Sequence, residues 1–245
     1  MANVPTKIAG GIQGPPTPTN AVIRLQTLSC VSQAYGPVDP YLWPALVGID
    51  KSNFGVEIVA PPVGDAHVLL QNNIPPGDSA AIPTFVGELV FQMQKELNNF
   101  ALIVAVILWE QSGASDTPSN VVQAGYEAYT SALQQAITHN LVELSNASTR
   151  SQAENAVQTA VTAAIQDAIR NKLSDWQIVE IYFSSLILDS EVAGSFVAFD
   201  GPSLKDTSFT ISLGEELIDS AGKPLRKLYT IAGTLSLVPQ IVQIQ

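Results

Sequence analysis

Cysteine is nearly absent from this chain: Cys30 is the single one among 245 residues, so no disulfide within the chain can staple the fold. Histidine is almost as scarce, with only His67 and His139, which removes the usual Cys/His zinc sites. Charge is short as well. Charged residues make up 13% of the chain, against roughly a quarter in ordinary domains. The basic ones are the scarcer, 11 Lys and Arg against 22 Asp and Glu. A net charge of -11 and the lack of any Lys/Arg cluster argue against nucleic acid as a partner. Long apolar runs are missing too. The longest, residues 100–109, falls far short of the roughly 20 residues that span a bilayer. The first residues lack the apolar core of a cleaved leader. The expectation is a soluble protein, cytoplasmic or released without a cleaved signal peptide, with no transmembrane segment.

What the chain does hold is apolar residue, 46% of the total, arranged in short periodic stretches. Residues 1–20 carry Gly10, Gly11, Gly14, Pro15, Pro16 and Pro18, and they read as an extended arm with no helix or ladder of its own. Strand signals follow at residues 22–28, 41–49, 56–60, 67–70 and 86–91, each bounded by Gly, Pro or Asn. Residues 100–108 are too apolar to be half exposed and read as a central strand buried on both faces.

The period changes after Asp116-Thr117-Pro118-Ser119, where Asp116 or Thr117 can cap a helix whose first turn holds Pro118. Ala124, Ala128, Ala132 and Ala136 recur every fourth residue in the first helix, and Ala153, Ala156, Ala160, Ala164 and Ala168 form a second small-residue stripe. Two such stripes fit an antiparallel hairpin of closely approaching helices over residues 117–174, turning at Asn146 to Thr149. Strand patterns resume at 178–188, 194–199, 208–213 and 229–238. The fold class expected is therefore α+β: one antiparallel β-sandwich over residues 21–245 into which a long two-helix hairpin is inserted.

Two segments carry a resemblance. Gly36-Pro37-Val38-Asp39-Pro40-Tyr41-Leu42-Trp43 and Ile187-Leu188-Asp189-Ser190-Glu191-Val192-Ala193-Gly194-Ser195-Phe196 are similar to loop-and-strand stretches of the C-two domains. That family comprises membrane-docking sandwiches, some calcium-dependent and some not. The resemblance covers under a fifth of the chain. It implies a C-two-like sandwich and a calcium ion held by Asp39, Asp189 and Glu191, three of the family's roughly five carboxylate positions. Such an incomplete set implies weak affinity, on the order of millimolar. No other cofactor is expected.

Catalytic spellings are few. Ser220-Ala221-Gly222-Lys223 matches a serine–lysine motif, but Gly222 and Pro224 mark a turn where that motif needs a helix start. Cys30 ends an apolar strand and reads as a small core residue. Glu110 and Asp116 follow the buried strand and could act as an acid and base pair. Their simpler reading is the strand's exit into water followed by a helix cap. The sequence thus points to a non-catalytic binding or self-assembly protein whose helical hairpin meets a protein partner or another copy of itself. In residues 119–149 the only acidic side chains are Glu127 and Glu143, so those helices would repel a neighbour little. The alternative is a membrane-active protein, either a peripheral lipid-docking module or a pore-forming toxin. A hydrolase acting through Glu110 and Asp116 comes third.

Overall fold

A computed structural model describes residues 18–32, 39–50, 52–53, 55–93, 97–111, 119–141, 143, 148–172, 190–201, 204–214 and 227–240. They form two antiparallel sheets and a few helices, an α+β architecture of sandwich type. The strands are β1 (Thr19–Ser32), β2 (Asp39–Asp50), β3 (Gly55–Val59), β4 (Ser79–Ala81), β5 (Glu88–Met93), β6 (Phe100–Gln111), β7 (Ser190–Asp200), β8 (Thr207–Gly214) and β9 (Leu228–Pro239). The helices are α1 (Thr84–Gly87), α2 (Ser119–His139) and α3 (Arg150–Lys172).

The first sheet runs β4-β1-β9-β8, with β5 pairing β1 beside β4. In β1 the side chains in the core between the sheets are Ala21, Ile23 and Leu25, then Leu28 and Cys30, while Val22 and Ser32 are buried outside that core cluster. The switch from odd to even positions coincides with a register shift between Leu25 and Thr27 against β9. One extra residue at Gln26 turns the alternation over without turning the strand's apolar side away from the core.

The second sheet runs β3-β2-β6-β7 and is covered on both faces. Leu102, Val104, Val106 and Leu108 of β6 point between the sheets, where they meet Ile23, Leu28 and Leu89 of the first sheet. Ala105, Ile107 and Trp109 point the other way, toward α2 and α3. The expectation of a doubly buried central strand is met: from Leu102 to Glu110 only Ile103 is more than slightly exposed. Each such side chain removed from water stabilises by about 1.5–3 kcal/mol.

Helix α2 buries Val122, Tyr126, Tyr129, Leu133 and Ile137 at spacings of three and four, as one helical face requires. Helix α3 packs against α2 and buries Ala153, Val157, Val161 and Ile165 at every fourth position. Its alanine stripe does not lie where the spacing suggested: Ala156 and Ala160 are exposed. The branched side chains, with more area to remove from water, take the inner face instead.

Two expected strands change. At residues 67–70 only a single bridge, Leu69 to Tyr41, forms. The stretch expected as a strand from residue 86 starts with the short helix α1, because Pro83 sets its N-terminus and Gly87 closes it against the β1 backbone. The strand proper begins at Glu88. Of the arm expected over residues 1–20, residues 1–17 lie outside the described residues, while Thr19 and Asn20 differ from the expectation and pair within β1. Trp176, the 178–188 stretch and Ser220-Ala221-Gly222-Lys223 also lie outside the described residues.

Candidate functional site

An aromatic layer joins the outer face of the second sheet to α2. Trp43 of β2 lies 4.7 Å from Trp109 of β6, 5.5 Å from Tyr126 and 6.0 Å from Tyr129, measured between ring centres. Strand pleating puts Tyr41, Trp43, Ile107 and Trp109 on this face, and one turn of α2 separates Tyr126 from Tyr129. Polar atoms fasten the layer at its margins. Trp43 Nε1 donates to Ala66 O at 2.8 Å, and the Tyr126 hydroxyl donates to Pro61 O at 2.8 Å. Burial, followed by the charge of Asp65, pushes the Tyr126 phenol well above its ordinary range. Burial does the same to Tyr129, aided by Tyr126. Helix α2 is thus held on the sheet by large side chains that have little freedom to rearrange.

The layer does not fill the space under α3. A cleft of about 440 Å³ opens there. Ala105 and Ile107 of β6 form its floor, Tyr129 and Leu133 one wall, Val157 and Val161 another, and Gly194 and Phe196 of β7 its open side. Register explains the gap. Ile107 pairs with Gly194 and Ala105 with Phe196, so the position opposite Ile107 offers no side chain to meet α3. Glu154, Gln158 and Thr162 stand on the helix side of the opening. Sequence reasoning missed this site. The signal available was the glycine inside the Gly194–Phe196 strand pattern, which marks close approach or open space.

A second cluster lies between the sheets. Glu110 is 1% exposed, and Lys227 donates to its Oε2 while the Tyr229 hydroxyl donates to Oε1 at 3.0 Å. The reading of Glu110 as a strand's exit into water is therefore overturned: its place on β6 turns it inward with Leu108 and Val106. A carboxylate buried this deeply requires a cation and a donor, and both arrive from the far end of the sequence. Asp116, its expected partner, lies outside the described residues.

Cys30 pairs in register with Tyr229. Burial raises its thiol, the Tyr229 hydroxyl lowers it, and the nearby Glu110 charge raises it again. The net direction is upward, which keeps the sulfur a thiol and a poor nucleophile. Tyr229 is raised in turn, first by burial and then by Glu110. The cluster works as a clasp between sheets, with its acceptors already occupied.

The carboxylates singled out for calcium are only partly described. Asp39 opens β2, pairs with Gln111 of β6, and accepts a hydrogen bond from the Asn73 backbone at 2.8 Å. Asn73 has a positive φ of 61°, and the Asp39 carboxylate steadies that turn. Glu191 of β7 pairs with Trp109, so its backbone and that of Asp39 flank the same end of β6. Asp189 is outside the described residues. Among the described residues no group of three metal-binding side chains comes together.

His139 is exposed, and its Nδ1 lies 2.8 Å from Gln135 O, within the last turn of α2. No helix among the described residues is long and apolar enough to cross a membrane. Comparison with known proteins finds no matching family model and no matching curated protein.

Proposed function

We propose that the chain is a non-catalytic binding or self-assembly protein, in which the sandwich is a scaffold and helices α2 and α3 present the interaction surface. On this reading the sheets form a C-two-like sandwich and the two helices an antiparallel hairpin inserted into it. The observation that carries the proposal is the outward face of the helices. Gln123, Ser131, Gln134 and Gln135 of α2 are exposed, as are Gln152, Asn155, Ala156, Thr159, Ala160 and Ala163 of α3. Among the described side chains the exposed carboxylates there are Glu127 and Asp167. A face so poor in charge costs less to desolvate than a charged one, provided its amides and hydroxyls find hydrogen-bond partners, and alanines at 156, 160 and 163 let a partner helix approach closely. The aromatic layer supports the same reading, because a surface already rigid loses little entropy on binding.

Light scattering of the purified chain across a range up to tens of micromolar tests this reading. Assemblies that dissociate in the Ala160→Arg variant are the expected result. Single chains throughout the range, together with no protein captured through this face, would count decisively against it. Sedimentation with neutral and anionic vesicles, with and without calcium, covers the membrane-active alternative.

A further inference from the structure

The edges of the two sheets are not guarded alike. Short strands, charges, bulges and covering helices are the devices that keep sheets from pairing edge to edge. At one edge of the second sheet α2 lies against β3, where Gln134 Nε2 donates to Val56 O at 3.4 Å. At the other, β7 carries Glu191 and Asp200 and shifts register against β6 between Leu108 and Trp109. In the first sheet β4 has only three residues and β5 carries Glu88. β8 has none of these devices. It runs for eight residues, Thr207–Gly214, without a charge or a proline, and no strand among the described residues pairs with its other side.

The strand is also held in place. Phe209 lies so close over Gly233 of β9 that a methyl group there would overlap its ring, and Phe199 of β7 meets the same ring at 5.3 Å between centres. Ile211 and Leu213 are buried in the core, whereas Ser208, Thr210 and Ser212 are exposed. A strand fixed in this way presents its outward backbone N–H and C=O groups in a fixed row. The partner that satisfies such a row is another extended strand.

Charge selects which strand. A net charge of -11 makes most approaches between copies repulsive, but two β8 strands bring no charge against each other. In sequence Lys205 precedes β8 and Glu215 follows it, so antiparallel pairing of two copies sets opposite charges at each end of the pair. Asp206 is engaged within its own sheet, where it accepts from the Leu237 backbone at 2.8 Å. The exposed hydroxyls of one copy then meet those of the other as cross-strand pairs.

We propose that β8 is a dimerisation edge, at which two copies pair β8 with β8 in antiparallel fashion about a twofold axis and join their first sheets into one. The contact is narrower than a standard interface, so the dimer forms at micromolar concentrations. It is separate from the outward face of α2 and α3 and does not depend on assembly through that face.

Sedimentation equilibrium of the full chain in an Ala160→Arg background, which disables the helical face, tests the edge by itself. The mass should double between about 1 and 100 micromolar. Adding Thr210→Lys and Ser212→Lys, both at exposed positions, should weaken this association by about tenfold or more while leaving the circular dichroism unchanged. Valine at the same two positions should retain it. Hydrogen exchange of the 207–214 amides should slow as the concentration rises. Single chains at 100 micromolar in the Ala160→Arg background, a dimer that survives the two lysines, or exchange at 207–214 that does not respond to concentration would each overturn the proposal.

Discussion

Lys227 donates to the buried carboxylate of Glu110, and this contact ties the second sheet to the first across the interior. A buried ion pair does not by itself stabilise a fold, but removal of one partner strands the other charge away from water. Lys227→Met should therefore destabilise the protein by about 2–4 kcal/mol. The double variant Lys227→Met with Glu110→Met should recover most of that loss. Urea unfolding of the two variants measures the difference. Equal stabilities would mean that the pair is not a coupled clasp.

High pH should loosen the molecule in a defined window. Tyr126, Tyr129 and Tyr229 are all raised from an ordinary value of 10.0, burial being the first cause in each. In the unfolded chain they ionise near 10, whereas in the folded chain they keep their protons to higher pH. Their contribution is thus complete below pH 10 and is lost as pH climbs toward the folded values, because the unfolded state releases protons that the folded state retains. The urea midpoint should fall steeply between about pH 10 and 11. A flat midpoint there would show that these phenols are not held in the dry interior.

Phe91 of β5 lies over Gly48 of β2, so closely that a methyl group at residue 48 would overlap its ring. Gly48→Ala should cost about 1–3 kcal/mol through displacement of that ring. Phe91→Leu added to it should restore part of the loss, since the smaller side chain vacates the space. Thermal melts of the single and double variants decide this.

Cys30 should be shielded from thiol reagents in the native state. It is 2% exposed and its thiol is raised by burial. Modification by a disulfide reagent should track global unfolding as urea is increased. Full labelling within seconds in the absence of denaturant would place the sulfur outside the core.

Local pattern made much of the fold legible. The alternation of β1 and the unbroken apolar run of β6 follow from pleating, and the positions of α2 and α3 follow from the change of period after Pro118. What escaped was non-local or depended on competition. Glu110 finds its cation 117 positions away, and no window of sequence holds both. Ala156 and Ala160 share the four-residue spacing of Val157 and Val161, and only packing against α2 decides which set turns inward. The cleft escaped because it is made by Gly194 lying opposite Ile107, a relation that exists only once the β6–β7 register is set.

The central place of β1 has a consequence for the growing chain. β1 is the first described strand, and one of its edges pairs with β9, the last. Until β9 is synthesised, an apolar strand with an open row of backbone groups waits beside β4 and β5, able to pair with a neighbouring nascent chain. Production of this protein should therefore depend on how quickly β9 is delivered. Slow translation near β9 would raise the share lost to misassembly, and fusion of a folding-retarding sequence at that end would do the same.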